Sequence, residues 1–126
     1  MKSFAASLIL AAVIILASIG YTIYLDNICE EMTILNEQIE EYISSEDFDK
    51  ASDALDGLSE FMDSKKLALA ATIDHTVIDN IERNMAELEA YISECQRYDA
   101  AAKCSVLKTL FKHLPKNYGL KLENIL

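Results

Sequence analysis

The N-terminal apolar segment restricts the fold more than any other feature of this sequence. No charged side chain occurs from Phe4 to Leu25. These residues, about 22 in number, form a helix of roughly 33 Å at 1.5 Å per residue, which matches a hydrocarbon core about 30 Å thick. We therefore predict that residues 1–25 form a single N-terminal transmembrane anchor and that residues 26–126 form one helical domain.

A secretory signal peptide is the alternative interpretation of the same segment. Lys2 would precede the apolar region, and the Ser-Ile-Gly sequence that ends at Gly20 has the small-x-small pattern of a cleavage site. Cleavage near Gly20 would release a secreted helical protein. The uncleaved anchor is favoured, because the apolar run continues past this site through Tyr21 and Tyr24, which suit an interfacial aromatic belt.

The charges that flank the apolar segment predict its orientation. Lys2 and the amino terminus carry the positive charges on the short side, whereas Asp26, Glu30 and Glu31 open the other flank. By the positive-inside rule, the N-terminus is cytoplasmic and the C-terminal domain is extracytoplasmic. We expect a single-pass protein of the cell membrane. The signal-peptide interpretation also places the domain on the extracytoplasmic side.

Apolar residues recur three and four residues apart beyond the membrane segment, which is the a/d spacing of a packed helix. This stripe consists of Leu25, Ile28, Met32, Leu35, Ile39 and Tyr42. Nothing interrupts the helix before Ile43, so we expect one rod of about forty residues, roughly 60 Å long. The stripe can pack inside the chain, or it can form a homodimeric coiled-coil spacer or sensor.

Shorter helices are predicted after this rod. Ser44-Ser45 is expected to cap a second helix that extends to about Ala70. Asp74 is expected to cap a third helix, because an aspartate side chain accepts hydrogen bonds from first-turn N–H groups.

A fourth helix is expected to begin near Asp99 and to end at Pro115, because the residue before a proline avoids helical geometry. Gly119 then suggests a turn that folds the tail back onto the domain. The predicted fold is all-α: a transmembrane helix that continues into a small antiparallel bundle of about four helices.

Charge is distributed unevenly along the domain. Residues 26–63 hold 13 acids and one base, for a net charge of −12, whereas residues 64–126 hold 8 acids and 9 bases, for a net charge of +1. We expect the basic fourth helix to lie beside an acidic helix. The overall charge of −10 disfavours nucleic-acid binding.

Residue patterns that carry catalysis are missing from the sequence. The aspartates around Asp49 lack the glycine of a calcium loop, and His75 and His113 do not have metal-ligand spacing. Phosphate-binding glycine loops and nucleophile elbows are absent as well. We therefore expect no enzymatic activity, no metal and no cofactor.

The cysteines leave two interpretations open. Cys95 and Cys104 lie symmetrically about residues 99 and 100, where the turn between the third and fourth helices is expected. The geometry therefore allows an extracytoplasmic disulfide between them. The alternative is that both are small core residues. Cys29 is the remaining cysteine, and it can form a disulfide with a second chain if the rod dimerises.

Two segments resemble a known family. The sequences DHTVIDNIERNMAELEAYI (residues 74–92) and LKTLFKHLPKNYGLKLENIL (residues 107–126) look like the bacterial domain of unknown function 4363 family. The resemblance implies a short, N-terminally anchored helical protein of the cell envelope, and it implies no catalytic or binding residues. Together with the predicted anchor and rod, it favours an accessory or scaffold protein that binds another protein, which can itself be a membrane protein.

Overall fold

In the computed structural model, the backbone of residues 1–125 and the side chains of residues 1–114 are described. This part of the chain contains five helices and no strand. They are α1 (Lys2–Ser44), α2 (Phe48–Ser64), α3 (Lys66–Thr72), α4 (His75–Ser93) and α5 (Arg97–Ile125). The predicted all-α fold is confirmed.

The four long helices form an antiparallel bundle in which each helix packs against two others. α1 packs against α2 and α5, and α4 packs against the same two helices on the opposite side. α2 and α4 meet less closely than the other neighbouring pairs. The short α3 connects α2 to α4 at the end of the bundle from which the N-terminal part of α1 projects.

α1 is the predicted rod, a single uninterrupted helix of 43 residues. Its first half is exposed on every side, since residues 1–20 are all exposed. From Leu25 onward the same helix enters the core. The transition from apolar segment to bundle therefore takes place without a break in helical structure, as the sequence predicts.

Apolar side chains from all four long helices form one continuous core. The largest fully buried side chains are Phe111, Leu25, Met32, Ile39, Ile43, Leu58, Ile81, Leu88, Leu107 and Leu114. Burial of a Leu, Ile or Phe side chain stabilises the folded state by about 1.5–3 kcal/mol. The three- and four-residue spacing of these positions on each helix explains why the chain forms a bundle.

Two tight turns of one kind join α1 to α2 and α4 to α5. Glu46 and Cys95 adopt left-handed φ angles of 59° and 55°. Each turn closes with the two backbone hydrogen bonds of a Schellman motif. These bonds are Glu46 N to Ile43 O (3.0 Å), Asp47 N to Tyr42 O (2.9 Å), Cys95 N to Ile92 O (3.0 Å) and Gln96 N to Tyr91 O (2.9 Å). The turn expected at residues 99 and 100 therefore lies at residues 94–96.

The predicted helix caps are partly correct. Asp74 caps α4, since its carboxylate accepts a hydrogen bond from the N–H of Thr76 at 3.2 Å. The cap predicted at Ser44-Ser45 is wrong, because Asp47 caps α2 by accepting from the N–H of Lys50 at 3.2 Å. The left-handed residue of the Schellman turn occupies position 46, which delays the start of α2 until after Asp47.

The second helix does not extend to Ala70 without interruption. α2 ends at Ser64, and Lys65 leaves helical geometry with a φ of −106° and a ψ of 7°. α3 follows from Lys66, contacts α2 and α4, and is hydrogen-bonded to Tyr21 of α1. The predicted end at Pro115 and the turn at Gly119 are also wrong, because α5 continues to Ile125. A proline inside a helix removes one hydrogen bond and can be accommodated by a kink.

Candidate functional site: an acidic groove between α2 and α4

The loosest junction of the bundle contains a groove between α2 and α4. Its cavity volume is about 250 Å³. Leu55 and Met62 of α2 and Met85 of α4 form the floor, and all three are mostly buried. The groove stays open because two of the residues facing it, Ser59 and Ala86, are too small to fill it.

Four carboxylates surround this apolar floor. Asp56 and Asp63 lie on the α2 side, and Glu82 and Glu89 lie on the α4 side. No basic residue lines the groove, and none of the four acids forms an ion pair within the part of the chain that the structure describes. Like charges that converge on one cleft give it a negative potential, which attracts cations and basic side chains.

The groove offers apolar contacts on its floor and negative charge at its rims. Met62 and Met85 have flexible, polarizable side chains that adapt to different apolar partners. A basic amphipathic helix could place its apolar face on this floor and its lysines or arginines against the rims. No cluster of three or more His, Cys, Asp or Glu side chains that could hold a metal ion occurs among the described residues.

The sequence does not identify this groove, because its four acids lie on two helices that are far apart in the chain. They are solvent-facing, but their position around a shared apolar floor depends on which helices become neighbours. The available signal was a methionine on each apolar stripe, Met62 on α2 and Met85 on α4. That signal is weak, because a methionine on such a stripe is usually a core residue.

The predicted apolar stripe of α1 faces the interior of the bundle. Leu25, Ile28, Met32 and Ile39 are buried, and Leu35 and Tyr42 are partly buried and packed on the same core. These side chains are therefore occupied by contacts within the chain. A coiled-coil dimer through the same residues would require the bundle to open.

Beyond the predicted stripe, α1 also buries a polar side chain. Asn36 is fully buried, and its Nδ2 donates a hydrogen bond to the Cys104 carbonyl at 2.9 Å. Its Oδ1 has no partner among the described residues. A buried oxygen left without a hydrogen bond costs about 1–3 kcal/mol, which offsets the stabilisation from the Nδ2 hydrogen bond.

The structure does not bring Cys95 and Cys104 together, and both are free thiols. The premise of the disulfide prediction is wrong: Cys95 is exposed in the turn itself, whereas Cys104 lies in the core of α5. Burial raises the pKa of Cys104 to about 12, with a further contribution from Glu40.

Cys29 is also buried and free. Burial raises the pKa of its thiol to about 12, and the Asp26 carboxylate adds to this effect. Because the thiolate is the reactive form, Cys29 and Cys104 are poor nucleophiles at neutral pH. Cys95 is the exposed thiol of the described chain.

One helix among the described residues is long and apolar enough to cross a membrane, and it is α1. Only 6% of its most apolar 18-residue window is buried within the protein. Among the described residues, the first side-chain hydrogen bond from α1 to another helix is made by Tyr21, whose hydroxyl donates to the Ala68 carbonyl at 2.8 Å. Leu25 is already fully buried. The freely exposed apolar stretch therefore ends near Gly20, earlier than the predicted boundary at Leu25.

Comparison with known proteins identifies a family for most of the chain. The chain matches no curated protein and no solved structure. A family model described as Domain of unknown function (DUF4363) matches residues 19–125. The match begins where α1 starts to contact the bundle and covers all five helices except the exposed apolar part of α1. The chain therefore belongs to the family defined by this domain of unknown function.

Proposed function

We propose that the chain is a membrane-anchored accessory protein of the bacterial cell envelope, whose helical domain binds another protein through the acidic groove between α2 and α4. In this proposal the N-terminus is cytoplasmic and the bundle is extracytoplasmic. The role is binding, with no catalytic step. The partner contributes a basic amphipathic helical segment, either from a soluble region or from the membrane-proximal part of another membrane protein.

The groove is the observation that carries this proposal. It combines an apolar floor with acidic rims, and both features are complementary to a basic amphipathic helix. The charge of −12 on residues 26–63 extends the same negative potential along α1 and α2, which favours encounter with a basic partner. The exposed apolar stretch of α1 supports the anchor, because large apolar side chains such as Leu8 and Leu16 are exposed along it.

Site-specific photocrosslinking in intact membranes tests the binding role. A photoreactive residue replaces Ser59 or Ala86 in the groove of the full chain, and the control replaces Val106, an exposed residue of α5. We expect adducts with a basic segment of another protein from the two groove positions and none from position 106. Equal adduct yield at position 106 would argue against the groove.

Charge-neutralised variants make the same experiment specific. The variant Asp56→Asn, Glu82→Gln, Glu89→Gln should lose the adducts, and high salt should weaken them in the parent protein. A matched control neutralises three exposed acids outside the groove lining: Glu31→Gln, Glu41→Gln and Glu94→Gln. Loss of crosslinking in both variants, or adducts formed only with a second copy of the chain, would contradict the proposal.

Cys95 offers a direct test of orientation. It is exposed at the end of the bundle opposite α3, while Cys29 and Cys104 are buried. A membrane-impermeant maleimide should label Cys95 in intact cells, and Cys95→Ser should abolish the labelling. Labelling that requires lysis of the cells would place the domain on the cytoplasmic side.

A further inference from the structure

Residues Lys65–Thr72, here called the foot, hold a fixed position beside the apolar part of α1. The Tyr21 hydroxyl donates to the Ala68 carbonyl and accepts a hydrogen bond from the Thr72 hydroxyl, both at 2.8 Å. The Lys65 ammonium lies 5.6 Å from the centre of the Tyr24 ring. These contacts place the foot one turn beyond Gly20, where the exposed apolar stretch ends.

The outer face of the foot is apolar and uncovered. Leu67, Ala70 and Ala71 are all exposed, and their spacing places them on one side of α3, while Leu69 points into the core. Leu67 is 90% exposed. Among the exposed large apolar residues after Tyr24 whose side chains are described, it is the most exposed. Packing within the described part of the bundle does not explain why this leucine is exposed.

The foot also carries two adjacent lysines that follow a strongly acidic region. Residues 26–63 contain one base against 13 acids, and Lys65 and Lys66 follow immediately. Lys66 is exposed at the edge of the apolar face, and Lys65 lies between the Tyr24 ring and the Phe61 ring. Lys66 also lines the adjoining cleft at the base of the groove, together with the acids Asp63 and Glu82.

We propose that the foot is a membrane-docking surface for anionic lipid headgroups. Leu67 enters the boundary between headgroups and acyl chains, and the ammonium groups of Lys65 and Lys66 contact lipid phosphates. Two observations favour this occupant: α3 is hydrogen-bonded to a helix long and apolar enough to cross a membrane, and the foot carries two adjacent lysines. A lysine near an anionic membrane surface contributes attraction that falls off within a Debye length.

The docked foot gives the bundle a second attachment beside the membrane helix. The membrane surface then lies near Tyr21, and about 19 residues of α1, roughly 28 Å of helix, remain for the hydrocarbon core. The acidic groove begins just above this surface, since Met62 and Asp63 line both the groove and the cleft beside the foot. The inference rests on the anchoring part of the proposed function and extends it.

Quenching by spin-labelled lipids tests the proposal on the full chain in nanodiscs. In a Cys95→Ser background, a fluorophore is attached at Ala70→Cys on the foot or at Tyr98→Cys, an exposed residue near the opposite end. A nitroxide placed just below the headgroups should quench the label at residue 70 and leave the label at residue 98 bright. Equal brightness at the two positions would overturn the docking proposal.

Variants then separate the contributions of the foot. Lys66→Glu with Leu67→Glu should abolish quenching at residue 70, and Tyr21→Phe should reduce it by releasing the foot from α1. Tyr24→Phe is the matched control, because no hydrogen bond of the Tyr24 hydroxyl is found among the described contacts. Quenching that survives the double substitution would overturn the proposal.

Lipid composition and extraction complete the test. Quenching should be stronger with phosphatidylglycerol than with phosphatidylcholine alone, and equal quenching would overturn the assignment of the lysines to anionic headgroups. Resistance to alkaline carbonate extraction reports the anchor separately. A chain that resists extraction but shows no quenching at residue 70 contradicts the foot alone, whereas a chain that is extracted contradicts the anchor of the proposed function.

Discussion

Two junctions on different sides of the bundle differ in both packing and charge. The α1–α5 junction, here called the closed junction, is the more closely packed of the two. Phe111, Met32 and Leu107 are fully buried in it, and Lys108 lies 3.9 Å from Glu37 at its edge. A surface cleft of about 270 Å³ lies beside it, next to Cys29 and Phe111. The α2–α4 junction is open, with acids on both rims and no base in its lining. Opposite charges flank the tight contact, and like charges flank the loose one.

In the proposed function, this difference lets one chain combine a stable core with a binding surface. α1 is acidic and meets the basic helix α5, and Arg97 of α5 lies 3.4 Å from Glu46. The expectation that the basic fourth helix lies beside an acidic helix is therefore confirmed. α2 and α4 have no such complementarity, so their acids remain available to a partner that supplies the missing positive charge.

Truncation of core residues should give the largest difference between the two junctions. Phe111→Ala removes a fully buried aromatic side chain from the closed junction and should cost about 3–5 kcal/mol. Met85→Ala removes part of the groove floor, which already adjoins open space, and should cost about 2 kcal/mol. Denaturant unfolding of the full chain in detergent micelles, followed by circular dichroism, measures both. Equal costs would mean that the groove floor is packed as tightly as the α1–α5 contact.

Alkaline pH should weaken the closed junction selectively. Cys29 of α1 and Cys104 of α5 are buried there, and burial raises the pKa of both thiols from 9.0 to about 12. The unfolded chain releases these protons near pH 9, while the folded chain keeps them. The stabilisation is therefore complete below pH 9 and is lost as the pH rises toward 12, by about 1.4 kcal/mol per pH unit for each thiol.

Unfolding measured at pH 8 and pH 10 checks this dependence. The pH slope should decrease in the variant Cys29→Ala, Cys104→Ala, whatever the cost of the substitutions at pH 8. Cys95→Ser is the matched control, since Cys95 is exposed, and it should keep the slope of the parent. Identical slopes in all three proteins would show that the buried thiols do not stabilise the neutral fold.

Asn36 allows the closed junction to be made stronger. Asn36→Leu replaces a buried side chain whose Oδ1 has no partner among the described residues with an apolar one of similar size. We expect a gain of about 1 kcal/mol. Asn84→Leu is the matched control, because the Asn84 side chain is satisfied by Asn80 and Lys103, and it should lose stability. A loss in Asn36→Leu as well would indicate that the oxygen has a partner in solution.

The sequence predicted the features that depend on local periodicity. The continuous rod, the apolar stripe from Leu25 to Tyr42 and the Asp74 cap follow from residue spacing, and all three are present. Spacing alone left open whether the stripe packs within the chain or between two chains. The turns were located less well, because Glu46 and Cys95 take left-handed conformations that usually favour glycine. Neither residue type signals such a turn, so the Asp47 cap and the exposure of Cys95 could not be predicted.

The groove and the foot could not be predicted for a different reason. Each depends on contacts between residues that are distant in sequence, such as Tyr21 with Ala68. The acids around Met62 and Met85 form a site only after α2 and α4 become neighbours. Periodicity shows which side of each helix is buried, but it does not show which helices meet loosely.

The smallest effects are expected from single surface charges, and here the two junctions should respond with opposite signs. Lys108→Gln removes the partner of Glu37 from the closed junction and should cost no more than about 0.5 kcal/mol, since both groups are partly exposed. Glu82→Gln relieves repulsion among the groove acids and should stabilise the fold by a similar amount. Unfolding at low and high salt measures both, and high salt should reduce both effects.

The same Glu82→Gln change should weaken crosslinking to the partner, because acids that destabilise the free groove are the groups that a basic segment would neutralise. If Glu82→Gln lowers stability, the groove acids have partners within the protein, and the contrast between the two junctions would have to be attributed to packing alone.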